Sequence, residues 1–66
     1  MHITVNGRTQ DMESGQTLQG LILSMNLDPS VVVAELNQSI VPGDKFASTS
    51  LCDGDRLELL SFVGGG

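Results

Sequence analysis

Sixty-six residues with 39% hydrophobic side chains and a net charge of −5 describe one small acidic domain with enough apolar content to fold. Eight acids against Arg8, Lys45 and Arg56 repel phosphate backbones, and no basic–aromatic stripe is present to stack on bases, so no nucleic acid partner is expected. A single cysteine, Cys52, excludes an internal disulfide and a cysteine metal cluster, and no apolar run suggests a membrane span or signal peptide, so a reduced, cytoplasmic setting is expected.

Met1-His2-Ile3-Thr4-Val5 alternates apolar and polar side chains, the period of a half-buried strand. Asn6-Gly7 accepts the two positive φ angles of a type I′ hairpin turn, and Arg8 to Met12 returns as a more polar edge strand. After the turn Glu13-Ser14-Gly15-Gln16, Thr17 stands where a helix N-cap belongs. Leu18, Leu21, Ile22 and Met25 then line one helical face, so the pattern predicts a helix over Thr17 to Met25 that ends at Asn26, Asp28 and Pro29. Gly20 weakens that helix and is expected to allow close packing on the sheet.

Val31 to Leu36 is β-branched and apolar and reads as a well-buried strand. Asn37-Gln38-Ser39 turns the chain into a short return strand at Ile40-Val41, which Pro42-Gly43-Asp44 breaks. An irregular stretch to Leu51 follows, with one helical turn around Lys45-Phe46-Ala47. Asp53-Gly54-Asp55 is a turn, and Arg56 to Phe62 forms the last strand with Leu57 and Leu59 inward. The order gives an α+β fold, a small mixed sheet packed on one helix, over residues 1–62, with 63–66 as a flexible tail. The expected core is Ile3, Val5, Leu18, Leu21, Ile22, Met25, Val33, Leu36, Leu57 and Leu59.

The body carries no catalytic constellation. His2 is the one histidine and lies on the outward side of its strand, which leaves no His-based triad or multi-histidine metal site. Cys52 has no histidine near it in sequence, Asp53-Gly54-Asp55 holds too few ligands for a calcium loop, and Asp28, Glu35, Asp44 and Glu58 read as solvated. What remains is Phe62-Val63-Gly64-Gly65-Gly66, which is a frayed linker or else a thin arm whose end reacts. Extended, it reaches on the order of 15 Å, and glycines suit a channel in which any Cβ would clash. A terminal carboxylate is a poor electrophile until ATP on a partner adenylates it; a sulfur nucleophile then displaces AMP and leaves a thiocarboxylate.

Taken together, the Asn6-Gly7 hairpin, Gly15-Gln16-Thr17 opening the helix, Ala34-Glu35-Leu36-Asn37, Ile40-Val41-Pro42, Asp53-Gly54-Asp55 and Gly65-Gly66 resemble the ThiS family of thiamine-pathway sulfur carriers over essentially the whole chain. Each motif is weak alone; their order and the glycine ending are specific. The resemblance implies a ubiquitin-like β-grasp fold and a protein co-substrate, not an enzyme, with no bound cofactor and with ATP used by the activating partner. It implies a ubiquitin-activating-like adenylyltransferase, a sulfur donor such as a cysteine desulfurase, and thiazole synthase as partners of a carrier that is monomeric alone. Gly66 would be the adenylated and thiocarboxylated position, with Gly65 and Gly64 as the tail motif. Gly64 makes the tail one glycine longer than the motif needs, and Cys52 has no counterpart in the family pattern. The exposed sheet face near the last strand, with Leu60 and Phe62, is the expected docking region. A molybdopterin sulfur carrier, a lysine-joined protein modifier and a passive ubiquitin-like interaction module remain as alternatives.

Overall fold

In the computed structural model, which describes residues 1–62, alternation and turn chemistry build five strands and one helix: β1 (His2–Val5), β2 (Arg8–Asp11), α1 (Leu18–Ser24), β3 (Val32–Leu36), β4 (Ser39–Val41) and β5 (Arg56–Ser61). Two 3-10 segments, Pro29–Val31 and Gly43–Ser48, fill the connections. The glycine run lies outside the described residues. The sheet order is β2-β1-β5-β3-β4, so the last strand in sequence is the middle strand in space. β5 runs parallel to β1 and antiparallel to β3, and both hairpins are antiparallel.

The β1–β2 turn follows the Asn-Gly expectation, with φ of 51° at Asn6 and 81° at Gly7. The β3–β4 turn has the same pattern at Asn37 (φ 50°) and Gln38 (φ 72°), where Gln38 occupies the left-handed region without the freedom of glycine.

Helix α1 begins where its cap allows. Thr17 Oγ1 accepts a hydrogen bond from the Gly20 N–H at 3.0 Å, satisfying one of the unpaired donors of the first turn. The helix closes with a left-handed residue at Asn26 (φ 60°), the Asn26 N–H donating to Leu23 O and the Leu27 N–H to Ile22 O. That is a Schellman ending, and half-buried Leu27 supplies the apolar contact that accompanies it. Gly20 does not pack on the sheet as expected. A Cβ there would meet Thr17 Oγ1 at 3.3 Å and the Gln16 side chain at 3.6 Å, so its small size leaves room for the cap.

The core lies between α1 and one face of the sheet. Ile3, Val5, Leu18, Leu21, Ile22, Leu57 and Leu59 are buried as the patterning requires, joined by Val32, Ala34, Phe46 and Leu51. Met25 and Leu36 pack against this cluster from its rim, half-buried. Val33 is the correction: it is 41% exposed, because the 3-10 turn consumes Val31 and starts the strand at Val32. Side chains alternate along a strand, so Val32 and Ala34 turn to the helix and Val33 turns away.

Candidate functional site

Strand β5 is held by backbone and by two asparagine side chains, Asn37 at its start and Asn6 further along. On one flank β3 pairs with it over five positions, from Leu36↔Leu57 to Val32↔Ser61, and the Phe62 N–H adds a bond to Val31 O at 2.7 Å. On the other flank β1 pairs at Thr4↔Arg56 and Val5↔Leu57 and then turns away. There the Asn6 amide stands in for a strand: its Oδ1 accepts from the Leu59 N–H at 2.7 Å and its Nδ2 donates to Leu59 O at 3.2 Å. On the β3 flank, at the start of β5, Asn37 Oδ1 accepts from the Arg56 N–H at 2.9 Å, and its Nδ2 donates to the Asp55 side chain at Oδ1, also at 2.9 Å. Satisfying backbone groups in this way removes the fraying expected of a strand that outruns its neighbour.

Opposite the helix, the sheet is open. Leu60 and Phe62, 58% and 54% exposed, lie there with Val33 and Ile40, four of the five large exposed hydrophobics among the described residues. The register sets Val33 opposite Leu60 and half-buried Glu35 opposite exposed Glu58, while Ile40 pairs beside Glu35. A shallow depression of about 420 Å³ continues this surface toward Thr4, Asn37 and Arg56.

The other sequence candidates stay apart from it. The His2 side chain is exposed, with Nδ1 3.7 Å from Asp11 Oδ1. Cys52 is a free, exposed thiol in a turn held by its own N–H donating to Asp55 Oδ2 at 2.7 Å. Asp53 and Gly54 clip that turn to β1: Asp53 Oδ1 accepts from the His2 N–H, and the Gly54 N–H donates to His2 O, each at 2.7 Å. Asp28 caps the Pro29–Val31 turn, and hydrogen bonds from the Ser30 N–H and then its hydroxyl hold its carboxyl below the ordinary aspartate value. Among the described residues no group of three or more His, Cys, Asp or Glu could hold a metal ion, and no helix is long and apolar enough to cross a membrane. Gly64, Gly65 and Gly66 lie outside the described residues.

Leu60 and Phe62, named from the sequence as a docking region, are exposed, while the two asparagine clamps and the facing glutamates were missed. Asn6 and Asn37 carried a signal only for their turn angles, and the glutamate pair becomes visible once the register of β3 on β5 is known.

Comparison with known proteins follows this geometry. The sequence profile of the ThiS family matches residues 3–66. The sulfur carrier protein ThiS of Bacillus subtilis is 38% identical over 50 residues, covering 76% of each chain. The thiazole synthase of Paramagnetospirillum magneticum is 33% identical over all 66 residues, and the chain spans 20% of that protein's length. Among solved structures, the thiamine biosynthesis protein (ThiS) of Geobacter metallireducens superposes with a TM-score of 0.84 at 30% identity, covering 100% of both chains.

Proposed function

This chain belongs to the ThiS family, and from that premise we propose that it is a sulfur carrier for thiazole formation in thiamine biosynthesis, loaded at the carboxylate of Gly66. The body works as a handle and the glycines as the reactive arm, so the protein is a co-substrate and residues 63–66 form its working tail. A carboxylate oxygen of Gly66 attacks the α-phosphate of ATP held by an adenylating enzyme, forming an acyl adenylate and releasing pyrophosphate. Hydrosulfide then adds to the acyl carbon, the C–O bond to AMP breaks, AMP leaves, a proton is released, and the carbon keeps sulfur as a thiocarboxylate. The carrier supplies reach and recognition, and the partner supplies ATP and the electrostatics of the displacement.

The observation that carries this reading is the anchoring of β5: the central strand, clamped by Asn6 and Asn37, ends three residues before Gly64-Gly65-Gly66 in the sequence. The exposed apolar residues Leu60 and Phe62 stand beside the start of that tail and serve as the docking contact. Thiazole synthase is the acceptor of the sulfur, a reading supported by synthases that contain a region similar to this whole chain.

Intact mass after incubation with ATP, a sulfur donor and the adenylating enzyme tests the chemistry. The expected result is a gain equal to exchange of one oxygen for sulfur, localised to Gly66, and complete loss of that gain on deleting Gly65 and Gly66 without a change in thermal unfolding. Persistent thiocarboxylate in the truncated protein overturns the assignment.

A further inference from the structure

The two turns that supply the amide clamps share a backbone and differ in the residue that follows the asparagine. Asn6 (φ 51°) precedes Gly7 (φ 81°), and Asn37 (φ 50°) precedes Gln38 (φ 72°). Glycine adopts the second of these angles freely, whereas glutamine is strained there. The glycine also leaves its own nitrogen bare. Asn6 and Gly7 are exposed, and a Cβ built on Gly7 would meet nothing within 4 Å. Among the described residues the Gly7 N–H enters no backbone hydrogen bond. Asp53-Gly54 also sets a glycine after a reactive side-chain carbon, but there the Gly54 N–H is committed to His2 O at 2.7 Å.

We propose that Asn6-Gly7 is a site of spontaneous modification, at which loss of ammonia turns the clamp residue into aspartate or isoaspartate and unfastens β5 on its β1 flank. When the Asn6 amide leaves Leu59, the Gly7 nitrogen attacks Asn6 Cγ. The new N–C bond closes a cyclic imide, the Cγ–Nδ2 bond breaks, and Nδ2 departs as ammonia with the proton from the Gly7 nitrogen. Water from solvent then adds to one of the two imide carbonyls. Opening the new bond gives aspartate, and opening the original peptide bond gives isoaspartate, whose main chain is longer by a methylene.

Neither product reproduces the clamp. In the parent chain Oδ1 accepts from the Leu59 N–H at 2.7 Å while Nδ2 donates to Leu59 O at 3.2 Å. Aspartate replaces that donor with a second anionic oxygen, which meets the Leu59 carbonyl acceptor against acceptor. Isoaspartate lengthens the turn and carries its carboxylate away from Leu59. The pairing of β1 with β5 ends at Val5↔Leu57, so β1 has no strand bond to offer Leu59 in place of the lost amide. Asn37 is clamped as firmly, and the Gln38 side chain hinders attack by the nitrogen behind it. The strained glutamine thus preserves the second clamp, and the first carries a clock.

The test is ageing of the full chain at mildly alkaline pH, followed by peptide mapping that resolves aspartate from isoaspartate. Conversion at Asn6 is expected to run about tenfold or more faster than at Asn37, because only glycine leaves the attacking nitrogen unhindered. Q38G is expected to bring Asn37 up to the rate of Asn6. Hydrogen exchange reads the structural half. In the aged protein the Leu59 amide, which faces Asn6, is expected to gain more in exchange rate than the Leu60 amide, which faces β3. N6D reproduces that pattern without ageing; if N6D does not fold, the aged parent chain, with modified and unmodified forms in one sample, supplies the comparison. Equal conversion at Asn6 and Asn37 overturns the site, and an intact Asn37 in Q38G overturns the role given to the following residue. Equal changes at Leu59 and Leu60 overturn the unfastening, since a merely weaker fold moves both amides together.

Discussion

On the helix side of the sheet, Ile3, Val5, Val32, Ala34, Leu57 and Leu59 are all buried; on the open side, Val33 and Leu60 come from the same strands and, with Ile40 of β4, stay in solvent. One residue of displacement along a strand separates the two environments. The inner set excludes water and carries the free energy of folding, while the outer set is free of that duty and exposes an apolar face of the kind partners bind. Val33, Ile40 and Leu60 can therefore change with little consequence for the fold, and Leu57 and Leu59 cannot.

The sharpest way to break this division is to truncate neighbouring leucines of β5. Leu57→Ala is expected to cost about 3 kcal/mol by removing a fully buried side chain from a core this small, read by urea denaturation. A smaller loss, about 1 kcal/mol, is expected for Thr17→Ala, which leaves the Gly20 N–H without its acceptor and loosens the helix that covers the inner face. Leu60→Ala should move stability by no more than about 0.5 kcal/mol in the same assay, and a larger loss would show that the open face also holds the fold. The smallest effect concerns Asp28, fully exposed at the cap before β3. Its carboxyl sits below the ordinary value of 3.8 in the folded chain, so its contribution is present above that pH and is lost as the pH falls through the lowered value. The difference in melting temperature between the parent and Asp28→Asn should shrink as the pH drops below about 3.8, and a gap that persists there would assign the effect to something other than the ionised cap.

Much of the division was legible before any coordinates. Strict alternation in Ile3-Thr4-Val5 and Leu57-Glu58-Leu59 gave faces directly, and Thr17 with the Leu18, Leu21, Ile22 spacing gave the helix within a residue at each end. Val31-Val32-Val33 carries no alternation, so its inward residue depends on where the preceding 3-10 turn stops, a tertiary choice that put Val33 outside. Phe46 and Leu51 lie in stretches without period and are buried through the way that connection folds back on α1, so pattern could not find them. The exposure of Leu60 and Phe62 agrees with strand parity. The Asn6 and Asn37 contacts were not legible, because side-chain amides that bond the backbone of a distant strand leave no trace in spacing.

Those two clamps also have a mechanical meaning. A pull on the tail while a partner grips the body runs along the axis of β5, which lies between β1 and β3 and is fastened by the amides of Asn6 and Asn37. Such a load strains the flanking bonds together, in shear, whereas an edge strand would let them open one after another. A pull at the C-terminal end of β5 is thus shared by both flanks of the sheet, and the body resists it as a unit.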